Sequence, residues 1–344
     1  MSQGGELEET TALVASTSSR GDDDIIATLV DGALAAGSRR FQWSSALVCC
    51  LANASNSCQV MSIALILPLL GESLGASDES KSAVASCIFL GMLMGGVLSG
   101  FVSDAALGRK TSVVASTALV TGFGAYSAIV STAYELAVVR FLVGVGIGGA
   151  VPAISAYLTE ISSAKDRGQW LVLFCSGWMV GSVLAASLGW IILGSDLTVF
   201  GLQSWRSMLL VCSAPAALSC LLSCVVLVES PLFLIHKGKD ARALAVLGRI
   251  AAINGAPHES LDGIKDALHR RGEAGRRSGG GPQPWLSKMA RQTRHLVGSL
   301  RHEDTWRMSI LLGASWFCLS AGWYGLTIWL PEFLQAKRDN VFLG

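Results

Sequence analysis

The sequence predicts an all-α membrane protein that crosses the bilayer several times, and three observations carry that reading. Only 15% of the 344 residues are charged while 51% are apolar, against roughly 25% charged in a soluble domain, so there is too little charge to cover a water-facing surface. Glycine reaches 38 residues, about one in nine, where about one in fourteen is usual. Seven apolar windows of about 20 residues, the length that crosses a hydrocarbon core, run approximately over 44–70, 82–103, 111–131, 134–158, 169–193, 207–228 and 308–330. The bilayer is therefore the expected surrounding. A net charge of +1 supplies no global basic field, so no nucleic-acid partner is expected.

The first segment, 1–40, reads as a tail. Residues 1–20 lack the apolar content to fold alone, whereas "DDDIIATLVDGALAAG" reads as a juxtamembrane helix with Asp22 or Asp23 near its N-terminus. Glu6, Glu8 and Glu9 open the chain and no apolar segment precedes a cleavage site, so the first span is expected to target the protein. Residues 41–228 hold six spans. Span one carries Asn53, Asn56 and Gln59 at steps of three, which occupy one third of a helix circumference. Amides in hydrocarbon need partners, so this face should line the bundle interior, bonding either neighbouring helices or a ligand. Asn53-Ala54-Ser55 matches a glycosylation sequon but lies inside a span.

The turn between spans two and three, "GFVSDAALGRK", places Gly100, Asp104, Gly108, Arg109 and Lys110 together. A carboxylate at a helix end, a tight glycine turn and a basic pair suit a charged latch biased by helix dipoles. Glu160 and Arg167 after span four and Glu229 after span six add charged helix ends on the same face. Span four begins "RFLVGVGIGG" and brings Arg140 inside an apolar window. Such an arginine either faces a cavity or partner or snorkels to the surface. The glycines that follow spell GxGxxG without a preceding strand, so they read as helix contacts, like Gly91-x3-Gly95, Gly96-x3-Gly100 and Gly177-x3-Gly181.

The segment 229–307 is a central loop: its first part, 229–254, as in "KGKDARALAVLGRI", has the spacing of a short amphipathic helix, and "RRGEAGRRSGGGPQP" reads as a flexible linker. Span seven, 308–330, carries Trp316, Ser320, Trp323 and Thr327 along one face, suited to core packing or to a flat or cationic solute. Residues 331–344 would then begin a lumenal or extracellular segment. Trp43, Trp170, Trp190, Trp205, Trp306 and Trp329 fall at span edges, where indoles concentrate at the interface, whereas Trp178, Trp316 and Trp323 lie inside spans. Orientation follows from the basic residues. Arg39 and Arg40, Arg109 and Lys110, Lys165 and Arg167, and the basic central loop share one side, which makes the N-terminus cytoplasmic.

All nine cysteines lie in apolar stretches and all five histidines outside them, with no zinc spacing. They read as packing residues. No triad, metal site, phosphate loop or cofactor motif stands out, so neither a cofactor nor an enzyme activity is expected.

Together these residues resemble the major facilitator superfamily, and within it the synaptic vesicle glycoprotein 2 family. "GFVSDAALGRK", "TEISSAKDRG" and "ESPLFLIHKGK" carry the wider likeness; "RRFQW", "RFLVGVGIGGAVPAISAYLTE", "SWRSMLLVCSAPA" and "WYGLTIWLPEF" carry the narrower one, over about residues 39–344. Organic cation transporters are less similar because of their large loop after span one, and the Gln-rich span-seven signature of sugar porters is not seen. The resemblance implies the first six-helix half of a facilitator fold plus helix seven, in a chain that stops one helix into the second half. It also implies alternating access around a site between two halves. Candidate cavity residues are then Asn56, Gln59, Trp178, Trp316, Trp323 and Tyr324. Three departures stand out. The latch loop is one residue longer, with three residues between Asp104 and Gly108; the ESPR pattern becomes Glu229-Ser230-Pro231-Leu232; and Asn56 and Gln59 stand where relatives tend to carry acids. Amides do not titrate, which removes a proton-coupling site there.

Two function classes follow. One is transport of a small organic solute. The other is a non-transporting membrane regulator or receptor on the same fold. Synaptic or secretory vesicle membranes, with vesicle proteins meeting the tail, are what the resemblance implies, and the plasma membrane is the alternative location.

Overall fold

A computed structural model describes residues 24–102, 108–257, 261–277, 298 and 303–342. The described residues form helices and no strand. A first helix, α1, covers residues 24–35. The chain continues through α2 (Arg40–Ile66), a 3₁₀ turn (Leu67–Leu69), α3 (Leu70–Leu74), α4 (Asp78–Val102), α5 (Arg109–Tyr126) and α6 (Ala133–Glu160). Then come α7 (Arg167–Gly194), α8 (Ser204–Val226), α9 (Pro231–His236), α10 (Asp240–Asn254), α11 (Asp262–Arg277) and α12 (Glu303–Phe342).

Six helical stretches are long and apolar enough to cross a membrane: Arg40–Leu74, Asp78–Gly100, Ala133–Glu160, Arg167–Gly194, Ser204–Val226 and Thr305–Pro331. The remaining expected span, span three, corresponds to α5, which has 18 residues and begins with Arg109 and Lys110. Its apolar run is interrupted by Ser112, Thr117 and Thr121, whose hydroxyls donate to carbonyls one turn back. The central loop also differs in detail. Its amphipathic stretch is two helices, α9 and α10, and α11 takes in residues 270–277, expected as linker. The helix of span seven continues past residue 330 as far as Phe342.

The chain divides into two compact units. The first comprises residues 1–45, 156–171 and 228–282. Within it α1 buries Ile26, Val30 and Leu34, α10 buries Leu247 and Ile250, and α11 buries Ile264 and Leu268. Asn254, the last residue of α10, ties this unit by polar contacts. Its Oδ1 accepts from the Phe41 backbone N–H at 3.0 Å, its Nδ2 donates to Gln42 Oε1 at 2.9 Å, and its carbonyl accepts from Ser38 N at 2.8 Å. A Cβ at Gly37, where φ is +82°, would meet the Asn254 carbonyl carbon at 3.0 Å, so the turn there needs glycine for both conformation and space.

The second unit comprises residues 46–155, 172–227 and 283–344. It is held by close backbone approach, as expected where lipid tails are as apolar as leucine. A Cβ at Gly91 would strike the Phe141 carbonyl, one at Gly95 the Val145 carbonyl, one at Gly144 the Ile88 carbonyl and one at Gly148 the Met92 carbonyl. The seam between α4 and α6 is therefore backbone on backbone. Gly177 and Gly181 of α7 meet the Cys50 and Ala54 carbonyls of α2 in the same way. The Gly96-x3-Gly100 pair does not behave so: a Cβ at Gly96 would only touch the Gly148 carbonyl at 3.7 Å, and Gly100 faces open space. One residue of helical offset, about 100°, turns that pair off the seam. The outer faces of α4 and α7 expose Leu90, Leu93, Val97, Val172, Val180 and Val183, suited to lipid. Trp170, in the first unit, and Trp205, in the second, stand near the starts of α7 and α8, and both are buried; Trp205 Nε1 donates to Gln203 Oε1 at 2.8 Å.

The seam gives a testable contrast. Gly144→Ala forces a methyl onto the Ile88 carbonyl and should destabilise the detergent-purified protein by about 1–3 kcal/mol, read as a lower thermal midpoint. Gly122→Ala, with nothing within 4 Å, should leave the midpoint unchanged or raise it.

Candidate functional site

Three side chains of the second unit, Asn56, Gln59 and Arg140, are wholly buried. α2 presents Asn56 and Gln59 one helical turn apart on its inward face, and α6 presents Arg140. Gln59 uses both ends of its amide. Its Oε1 accepts from Arg140 Nη1 at 3.0 Å, while its Nε2 donates to the Cys212 carbonyl at 3.2 Å and to Ser213 Oγ at 3.0 Å. One side chain thus joins α2, α6 and α8. α5 leaves room for it with Gly124, where a Cβ would lie 2.7 Å from Gln59 Nε2 and 2.9 Å from Ser213 Oγ. Arg140 therefore does not snorkel: burial is complete and its bond runs inward to Gln59.

Not every polar atom there is satisfied. Among the described residues Arg140 Nε and Nη2 and both Asn56 amide atoms have no hydrogen-bond partner. Asn53 donates from Nδ2 to the Phe174 carbonyl at 3.0 Å, yet its Oδ1 is without a partner. Unsatisfied buried groups cost about 1–3 kcal/mol each, more for a charge, so this cluster is polar capacity that the described residues leave unused.

The expected cavity aromatics divide. Tyr324 on α12 packs against Phe89 with ring centres 4.9 Å apart and edge-on against Trp178 at 6.3 Å. Trp316 and Trp323 are 61% and 43% exposed. Of the row expected on one face of span seven, Ser320 and Thr327 are half-buried, and Ile328 is buried beside them. Phe89 has no polar or glycine signal that marks it in the sequence. Its place becomes visible only once Ile88 is seen against Gly144.

The latch residues fall in both units. In the second, Gly108 has φ +90° and its carbonyl accepts from Ser112 Oγ at 2.8 Å, and Lys110 Nζ donates to the Cys224 carbonyl at 2.9 Å. Arg109 opens α5, Gly100 lies in α4, and Asp104 lies outside the described residues. In the first unit Glu160 ends α6 and Glu229 Oε1 accepts from the Ser230 backbone N–H at 3.0 Å. Arg167 Nη2 lies 3.5 Å from Asp31 Oδ1 of α1, and Arg39 Nη2 lies 2.9 Å from Asp166 Oδ2. The juxtamembrane helix expected over this segment carries no signal that singles out Asp31, whose Oδ1 also accepts from the Ala164 backbone N–H at 2.6 Å in the loop after α6. Among the described residues no group of three His, Cys, Asp or Glu could hold a metal ion.

Comparison with known proteins bears on family and fold. Residues 37–332 match the sequence profile of the family described as sugar (and other) transporter. Synaptic vesicle glycoprotein 2A of Rattus norvegicus is 29% identical over 335 residues, covering 90% of this chain and 44% of that protein. Synaptic vesicle glycoprotein 2B of Rattus norvegicus is 28% identical over 326 residues, covering 89% of this chain and 47% of that protein. The chain thus spans less than half the length of these relatives. Among solved structures, the major facilitator superfamily proton:xylose symporter XylE bound to 6-bromo-6-deoxy-D-glucose aligns with a TM-score of 0.59 at 20% identity, covering 70% of this chain and 55% of that one. An inward-facing bacterial homologue of the human lysosomal transporter Spinster aligns with a TM-score of 0.50 at 17% identity, covering 57% of this chain and 45% of that one. These likenesses show the fold: the first six-helix half of a facilitator plus helix seven.

The Gln59 junction can be tested by stability. Gln59→Leu strips Arg140 of its bond and should cost about 3 kcal/mol or more, read as a lower thermal midpoint in detergent. The double variant Gln59→Leu/Arg140→Met removes both partners and should recover most of that loss.

Proposed function

Because the chain belongs to the sugar (and other) transporter family, we propose that it moves a small organic solute across a membrane by alternating access. The observation that supports this most is the wholly buried cluster of Asn56, Gln59 and Arg140, with buried atoms that none of the described residues satisfies. In this reading the cluster is the solute's polar anchor, and Tyr324 with Phe89 and Trp178 is an apolar wall. Trp316 and Trp323, exposed on α12, line the side of the pathway that a second helical half would complete. Gly100, Asp104, Gly108, Arg109, Lys110, Glu160, Arg167 and Glu229 act as the latch between conformations. The basic loops favour a cytoplasmic N-terminus. Likeness to the synaptic vesicle glycoproteins supports a vesicle membrane as the location and vesicle proteins as partners of the tail.

Amides at Asn56 and Gln59 favour a second reading, a regulator or receptor that keeps the fold without proton-driven flux. Uptake by purified full-length protein in liposomes separates the two. Transport predicts saturable accumulation or exchange of a solute from a sugar, organic-acid and organic-cation panel, with flux reduced about tenfold or more in Gln59→Ala. Absence of flux for the whole panel, with tail-dependent capture of vesicle proteins retained, would instead support the regulator.

A further inference from the structure

We propose that Arg140 is an anion-recognition residue and that the solute carries a single carboxylate. The inference rests on the transport reading above, since a wholly buried guanidinium meets solute only if the bundle opens to it.

Three observations carry it. First, the geometry of what is left over is specific. Nη1 is occupied by Gln59, whereas Nε and Nη2 have no partner. The N–H groups of Nε and Nη2 point from the same edge of the guanidinium, the edge that takes a carboxylate through two parallel hydrogen bonds. Second, no carboxylate of the chain fills that role among the described residues. Arg140's partner is a neutral amide, and Glu135, five residues earlier on α6, is exposed and engaged by Tyr126 Oη at 2.8 Å and by the Ser131 N–H at 2.9 Å. A cation held in a low-dielectric interior without a counter-charge is costly, and an anionic solute removes that cost. Third, Asn56, one turn from Gln59 on the same helix face, offers an acceptor and a donor that are both without partners, which suits a hydroxyl or amide beside the carboxylate. The described groups bonded to this cluster bring no second positive charge. One guanidinium balances a single negative charge better than the double charge of a phosphate.

The test uses purified full-length protein and matched acid–amide pairs: acetate and acetamide, lactate and lactamide, benzoate and benzamide, with inorganic phosphate as a further probe. The expected result is a saturable rise in thermal midpoint with at least one acid, no rise with its amide or with phosphate, and a response weakened roughly tenfold or more in Arg140→Gln. Arg140→Lys, which keeps the charge and loses the fork, should respond in between. Equal responses to acid and amide, or no response to any acid by the unsubstituted protein, would overturn the proposal without needing any variant to fold. Uptake in liposomes keeps the two failures apart. Flux of a neutral solute that acids do not inhibit leaves transport standing and removes the anion site. Acid-specific stabilisation without flux leaves the anion site and removes transport.

Discussion

The six-helix half depends on one amide. Gln59 reaches α6 through Arg140 and α8 through Cys212 and Ser213, and α5 contributes by having nothing at Gly124. In water such a side chain would be one polar group among many. Inside a bilayer no solvent competes for its bonds or replaces them, so the helices that share it are fixed in register with one another. An arginine that could not be left bare in hydrocarbon is carried in the bundle because that amide is already placed to receive it.

Around this junction the packing is done by what is missing from side chains. Gly91, Gly95, Gly144 and Gly148 bring α4 and α6 together at backbone distance, and Gly177 and Gly181 do the same for α7 against α2. Large apolar residues are turned outward on α4 and α7, the reverse of a soluble bundle. The first unit follows ordinary soluble logic instead, with apolar faces of α1, α10 and α11 buried and Asn254 closing the turn before α2. Charged pairs, Arg39 with Asp166 and Arg167 with Asp31, belong to that unit.

Much of this was legible in the sequence, and the exceptions have physical causes. Apolar length and the three-residue spacing of Asn53, Asn56 and Gln59 announced the spans and the inward face of the first, because an amide in hydrocarbon has few places to go. Glycine pairs on α4 and α7 announced close contacts, yet spacing alone did not separate Gly91 and Gly95 from Gly96 and Gly100, since both pairs recur every four residues and only the rotation of α4 distinguishes them. Rotation also decided α12, where aromatic residues occupy several faces and Tyr324, rather than Trp316, turns to Phe89. Cover decided Arg140: position along a span does not say how far neighbouring helices enclose a side chain. The pairing of α1 with the loop after α6 joins residues far apart in the chain through Asp31 and Arg167, and no local pattern records such a contact.

The shortness of α5 has a consequence for the lipid itself. Its 18 residues span about 27 Å, and two of them are basic, whereas α6 and α7 with 28 residues each extend to about 42 Å. A bilayer with a core of about 30 Å cannot match both around one circumference. Hydrophobic mismatch of this kind costs fractions of a kcal/mol per Å and is relieved in general by local thinning of the bilayer or by tilt of the longer helices. If all of these helices cross the bilayer, a short helix that opens on Arg109 and Lys110 and two long ones ask for different thicknesses from the lipid around them.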